Sequence, residues 1–288
     1  MTLTEAFEKS IRTAHREGVN ILKRSSEPLL HNGRMELEPD DVAVAVERHR
    51  WYWRPAHVKV ALVAESHVYT SRDDLNTKLD YPNHDGFVEL RDAPRDFVRL
   101  IYCLGYGQRE LLPHSATSQQ RKGGTPQYWT VFSELAGTSG SKPQTGQWAD
   151  RVKWKIETLQ ALQDRGIWLL DASLHAIYAP AHTQTQDQSV LMSAKGENRI
   201  SYATARELHL AWWQYYGKPL MTDLGDPPIW CIGKSVYGAL SSLETDTKRR
   251  IDLRNWMYQP NARKQPNLQQ GHFLPDLVSS VNDYLPAH

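Results

Sequence analysis

Residues 58–69 read V-K-V-A-L-V-A-E-S-H-V-Y, and the fold follows from this stretch. Apart from Lys59, the first seven form an apolar run rich in β-branched residues, the pattern of a strand buried on both faces, as in a parallel sheet. The run stops at the polar turn Glu65, Ser66 and His67. Working outward, three comparable runs occur at 167–170, 229–232 and, more weakly, 255–258, and helical patterns lie between and after them at 127–136, 148–165, 203–216 and 274–285. Strands alternating with helices predict an α/β fold: a parallel sheet covered on both faces. In such sheets ligands bind beyond the carboxyl ends of the strands, so the residues that follow each strand are the candidates for function.

The rest of the chain sets bounds. At roughly 100–200 residues per domain, a 288-residue chain is read here as one decorated α/β domain. Residues 1–57 are expected to form an N-terminal helical appendage, with Leu3, Phe7, Ile11 and Ala14 at helical spacing and Thr2 with Glu5 resembling a capping box; residues 58–288 form the α/β domain. Lys plus Arg number 34 against 33 Asp plus Glu, so no whole-molecule field steers the protein to nucleic acid or to an anionic membrane, and any basic site is local. No long apolar run and no apolar N-terminal stretch is present, which reads as an intracellular, cytoplasmic protein with no membrane partner. Cys103 and Cys231 stand alone in apolar segments, as buried thiols do. The 10 Trp and 13 Tyr supply core rings and also surfaces on which bases stack. Two stretches, 114–125 and 179–198, read as loops or insertions.

The strand ends carry polar residues. Glu65, Ser66, His67, Val68 and Tyr69 follow the first strand, Asp171 closes the second, Gly233, Lys234 and Ser235 follow the third, and Gln259, Pro260, Asn261, Arg263 and Lys264 follow the fourth. Singly, each has an ordinary structural reading as a helix cap or a turn; together they suit a polar ligand.

These segments, in this order, resemble the uracil-DNA glycosylase superfamily over roughly residues 58–280. VKVALVAESHVY is similar to the strand that runs into G-Q-D-P-Y, or into G-E-A-P-G in related branches. TPQYWTVFSEL (125–135) is similar to P-P-S-L-x-N-I-x-K-E-L, LQDRGIWLLDASLHAIY to W-A-x-x-G-V-L-L-L-N-x-x-L-T-V, and IWCIGKSVYGAL to the apolar strand with its W-G-x-x-A turn. YQPNARKQPNLQQGHFLPDLVSS has the shape of A-H-P-S-P-L-S with its downstream G-x-x-H-F. Each motif is short and degenerate, and the specificity lies in five occurring in order. The resemblance implies a three-layer α/β/α sandwich around a four-stranded parallel sheet. It further implies an enzyme that flips a nucleotide out of double-stranded DNA and hydrolyses its N-glycosidic bond with no metal or other cofactor.

The departures bear on the substrate. Where the family reads uracil with an Asn, this chain has Asp171. A carboxylate only accepts hydrogen bonds, and a protonated one both accepts and donates, so cytosine is favoured over uracil. The family's Tyr that crowds the pyrimidine C5 aligns with Val68, which opens room for a C5 substituent unless Tyr69 refills it. A pocket that has lost base selectivity is the competing reading. The family's water-positioning Asp aligns with Ser66, so catalysis passes to Glu65, which falls on the Glu of the G-E-A-P-G branch, with His67 in reserve. The leaving-group His aligns with Gln259, a neutral donor. Phe87 is the candidate for stacking on the base, with Tyr102 behind it. The basic residues Lys248, Arg249, Arg250, Arg254, Arg263 and Lys264, together with Lys234, Ser235 and Asn261, are candidates for DNA contact.

The expectation is a monofunctional DNA glycosylase acting on a modified cytosine such as hydroxymethyl- or glucosyl-hydroxymethylcytosine, bases found in some phage DNA, with an antiviral role. The alternatives are a uracil or mismatch repair glycosylase, a DNA-binding module of the same fold without catalysis, and a nucleoside hydrolase.

Overall fold

The structure, a computed structural model, describes residues 3–31, 36–81, 85–113, 125–143, 147–178, 199–243, 251–260 and 272–285. The expected loops at 114–125 and 179–198 lie outside the described residues except for Thr125, which precedes helix Pro126–Ala136; Thr2 of the expected capping box also lies outside them. Helix α1 (Glu5–Arg24) is capped by Thr4, whose hydroxyl receives the Phe7 N–H. It is followed by α2 (Pro28–His31), α3 (Asp40–Tyr52), β1 (Val60–Ala64), α4 (Arg72–Asn76), α5 (Pro126–Ala136), α6 (Trp148–Arg165) and β2 (Ile167–Asp171). The chain continues through α7 (Tyr202–Trp212), a π-helical turn (Trp213–Gly217), α8 (Lys218–Asp223), β3 (Ile229–Ile232), α9 (Lys234–Ser241), β4 (Leu253–Met257) and α10 (Leu274–Tyr284).

The four strands form one all-parallel sheet in the order β2-β1-β3-β4. β1, the apolar run of the opening sequence, lies between β2 and β3 and is buried throughout. Trp168 and Trp230 show that both faces are covered. Trp168 pairs with Ala61 and donates its indole N–H to the Arg50 carbonyl of α3, whereas Trp230 pairs with Leu62, one residue on, and donates to Ser280 of α10. Because successive residues of a strand point to opposite faces, α3 and α10 lie on opposite sides. Helices α1, α3, α7 and α9 pack in one connected set, and α5, α6 and α10 in another. The molecule is thus a mixed α/β fold with a central parallel sheet flanked by helices, consistent with three α/β/α layers.

The boundary expected at residue 57 does not divide the core. Ile11, Val42, Val44, Val46 and Trp51 belong to the same buried cluster as Val60–Ala64. α3 is buried around most of its circumference, so it is a wall of the sandwich, and the expected appendage supplies part of the domain.

The strand estimates shift slightly at the fourth run. β4 begins at Leu253, two residues before the expected 255, and ends at Met257. Ile229 pairs with Leu253 but Trp230 pairs with Asn255, so Arg254 is an extra residue in β4, as in a β-bulge. The turn into β2 depends on Gly166, which caps α6 at φ +76°; a Cβ there would come within 2.7 Å of the His57 carbonyl. Among the described residues no helix is long and apolar enough to cross a membrane.

Candidate functional site

The register places Ala64 beside Asp171, so Glu65 emerges from β1 next to the end of β2. Glu65 is buried and both carboxylate oxygens are engaged. Oε1 accepts from Arg199 at 2.8 Å and from the Ser235 hydroxyl, and Oε2 accepts from the Tyr178 hydroxyl at 2.6 Å. Burial pushes the carboxyl up. The positive charge of Arg199 and the hydrogen bonds from Ser235, Tyr178 and Arg199 outweigh that and hold it below the ordinary carboxylate range.

Gly233 allows β3 and β4 to deliver their ends to the same place. It adopts φ +117°, and a Cβ would sit 2.9 Å from Gln259 Nε2 and 3.4 Å from Glu65 Cγ. A side chain would therefore separate the two groups that Gly233 brings together. Gln259 accepts at Oε1 from the Tyr128 hydroxyl, 3.0 Å away, and its Nε2 lies 3.4 Å from the Ile232 carbonyl. Tyr128 comes from the first turn of α5. Burial, with the charges of Asp171 and Glu65 nearby, raises its hydroxyl well above the ordinary tyrosine value, so it stays a protonated donor.

On the β2 side the polar residues form a buried chain of alternating charge. Glu47 pairs with Arg50 at 3.0 Å and Arg50 with Asp171 at 2.6 Å; His67 Nδ1 lies 3.8 Å from Asp171, and His67 Nε2 lies 3.1 Å from Glu38. Arg50 also donates to the Leu169 carbonyl, and Tyr216 donates to Glu47. Burial pushes the Glu47 carboxyl up, more than Arg50 pulls it down. Burial disfavours the His67 imidazolium, but the charge and hydrogen bond of Glu38 prevail and raise it above the ordinary histidine value. Glu38 also receives the N–H groups of Thr70 and Ala176, so this carboxylate ties together the loops that follow β1 and β2.

The structure brings Glu65, Ser235, Gln259 and Gly233 together and gives the other candidates different roles. Ser66 donates to the His67 carbonyl and accepts from Ile177 N–H, a tie between loops. His67 is buried between Glu38 and Asp171. Asp171 does not cap a helix; its Oδ2 is held by Arg50. Val68 is half-buried against the core, with its N–H on the Arg99 carbonyl. Phe87 is buried and stacks on Trp148 at 5.9 Å, so that ring serves packing. Tyr102 is a core residue whose hydroxyl accepts from Leu169 N–H. Lys234 is exposed at the start of α9. Arg254 pairs with Asp252 at 2.8 Å and lies over the Tyr284 ring. Asn261, Arg263, Lys264, Lys248, Arg249 and Arg250 lie outside the described residues.

Sequence reasoning missed Tyr178, Arg199, Tyr128 and His209. Tyr178 and Arg199 flank the 179–198 insertion and meet in an antiparallel bridge, so the ends of the insertion form two of the contacts to Glu65. The Arg199 guanidinium also lies 4.1 Å from the ring centre of Tyr202, whose side chain is exposed. The one available signal was that the expected insertion begins and ends there. His209 of α7 is buried and donates from Nδ1 to the Ala172 carbonyl, which leaves Nε2 as an acceptor with no partner among the described residues. Among the described residues no group of three or more His, Cys, Asp or Glu side chains is placed to hold a metal ion. Comparison of the chain with family models, curated proteins and solved structures returns no match.

Proposed function

We propose that the chain is a monofunctional DNA glycosylase with a uracil-DNA-glycosylase-like fold, which flips a modified pyrimidine out of double-stranded DNA and excises it to leave an abasic site. The favoured base is a C5-substituted cytosine such as hydroxymethyl- or glucosyl-hydroxymethylcytosine. The observation that supports this reading is the meeting of Glu65, Ser235 and Gln259 at the ends of β1, β3 and β4, with Asp171 at the neighbouring end of β2.

In this reading Glu65 acts as a fixed negative charge. A carboxyl held below its ordinary range is a poor proton acceptor, and it suits stabilisation of the positive charge that develops on the sugar as the glycosidic bond breaks. Tyr128 holds the amide oxygen of Gln259 and the Ile232 carbonyl takes one Nε2 hydrogen, which leaves the second to donate toward the departing base. Asp171, ion-paired to Arg50, is an acceptor; Oδ1 then takes the exocyclic amine of cytosine, and the keto oxygen of uracil is repelled. An intracellular enzyme with this preference would act against phage-type modified DNA.

A second reading, a DNA-binding module without catalysis, draws on the fact that Glu65 is already neutralised by Arg199 and held by two hydroxyls. One experiment separates the two: single-turnover incubation with duplexes carrying uracil, cytosine, 5-hydroxymethylcytosine or its glucosylated form, followed by alkali. Strand scission confined to the modified cytosine is the expected result. Retarded but intact DNA in every lane supports the binding module, and scission at uracil alone supports a repair enzyme.

A further inference from the structure

A recess of about 220 Å³ lies between α5 and α6, and no residue of the Glu65 site lines it. Its walls include Trp129 and Trp154, and its polar lining is Gln108, Lys142, Arg151 and Lys155. Lys155 is only 6% exposed. Its ammonium lies 4.7 Å from the centre of the Trp129 ring, and among the described residues no carboxylate pairs with it. Arg151 pairs with Glu110 at 3.4 Å, and the Lys142 ammonium lies 5.7 Å from the Trp154 ring centre. Two further lining groups are buried without a partner among the described residues: the Trp129 indole N–H and the Gln108 side-chain oxygen.

A buried cation without a counter-ion is destabilising, and a single ring face compensates only part of its lost hydration. Here the cation stands beside an unused N–H donor, with two more cations on the same walls. We propose that the recess is a binding site for a small organic anion, a carboxylate or phosphate monoester carried on one planar ring, with Lys155 and Lys142 holding the anionic group and the two indoles, in contact with each other at 5.9 Å between ring centres, forming one apolar wall against the ring. The size is suitable, since a cavity of about 150 Å³ admits benzene. A backbone phosphate of DNA fits poorly because it is tethered on both sides, whereas a terminal group enters a recess end-on. Burial lowers the Lys155 ammonium to about 8. Binding of an anion restores the charge, so affinity falls as pH rises through that value.

The test is calorimetric titration of the full chain with benzoate and with phenyl phosphate. At least one is expected to bind saturably at one site. Lys155→Met is expected to weaken binding about tenfold to a hundredfold, as for loss of a charge-assisted hydrogen bond, with a melting temperature equal to or above that of the wild type because a buried charge has gone. Lys142→Ala, at an exposed position, keeps the test open should Lys155→Met fold poorly; it is expected to weaken binding several-fold. The proposal fails if neither compound binds at millimolar concentration, or if both variants bind as the wild type does. It also fails if a duplex lacking any modified base displaces the bound compound, since the recess would then hold a DNA phosphate. Base release is not measured in these titrations, so their failure leaves the glycosylase reading untouched.

Discussion

Arg50 donates from Nη2 to Oδ2 of Asp171 at 2.6 Å, joining α3 to the end of β2 with both side chains buried. The contact spans 121 residues of sequence. It makes Asp171 a structural anion as well as a candidate for reading a base. Asp171→Ala leaves Arg50 buried with the carboxylate of Glu47 and the Leu169 carbonyl. Breaking a buried pair in this way is expected to lower stability by about 3–5 kcal/mol, whereas replacing both partners with apolar residues is often neutral. Urea unfolding of Asp171→Ala and of Glu47→Gln/Arg50→Met/Asp171→Leu checks this; the triple variant also removes the carboxylate that Arg50 balances on α3 and is expected to be the more stable of the two. Equal destabilisation of both would show that the pair contributes nothing beyond its packing volume. Asp171→Asn places at this position the residue with which the uracil-DNA glycosylase superfamily reads uracil and would test base choice, so it should be compared with wild type below its own unfolding midpoint.

Glu65→Gln keeps the shape of the side chain and removes the charge. Loss of base release by about 10²–10⁴ is expected from removal of a positioned catalytic charge, with DNA affinity nearly unchanged. Single-turnover rates and gel retardation measure the two separately. A variant that retains more than about a tenth of the wild-type rate would place catalysis elsewhere, and His209, with its open Nε2, would be the next residue to test.

The part of the fold that was legible in the sequence is the part written in local patterns. The runs at 58–64, 167–170 and 229–232 are apolar because both faces of a parallel strand are buried, and they coincide with β1, β2 and β3 to within two residues. β4 was weaker because it is an edge strand with a bulge at Arg254 and a mixed burial pattern. α9 gave no advance signal beyond the Gly233 turn, being only eight residues long. Glu65, Ser235 and Gln259 were visible as residues following strands. Arg199 and Arg50 were not, because their roles come from contacts across 134 and 121 residues, and neither has a local motif. Phe87 was assigned by distance along the chain, which does not reveal that Trp148 would take its ring.

The proposed DNA contact by the basic residues that follow β4 in sequence is checked by salt dependence. Neutralising Arg263 and Lys264 together should flatten the plot of log affinity against log salt by roughly 0.9 for each duplex phosphate that no longer meets a cation. Arg254 is expected to contribute less, since it already pairs with Asp252. An unchanged slope in the Arg263/Lys264 variant would mean that DNA does not meet these two residues.

Buried histidines contribute to the acid limb of stability, alongside the carboxyls of Glu38, Glu65, Glu27, Asp40 and Glu8 that are held below their ordinary range. Burial lowers His49 to about 4 and His175 to about 3, from an ordinary value of 6.5. Both are neutral in the folded chain, where each ring N–H meets a backbone carbonyl, of Asp96 and His15 respectively. The unfolded chain takes up protons as pH falls below 6.5 and the folded chain does not. The stability these residues confer is therefore complete above pH 6.5 and is lost on acidification toward pH 4. His67 runs the other way: Glu38 raises it, so its contribution is present below pH 6.5 and is lost as pH rises through its folded value. Each buried neutral histidine should add about 1.4 kcal/mol per pH unit to the slope within its window. His49→Gln keeps a donor for the Asp96 carbonyl and removes one titrating group. Its unfolding free energy should approach or overtake that of wild type as pH falls from 6.5 toward 4, the gap closing by about 1.4 kcal/mol per unit. Denaturant unfolding across that range measures the gap, and two parallel curves would mean that His49 carries its proton in the folded state.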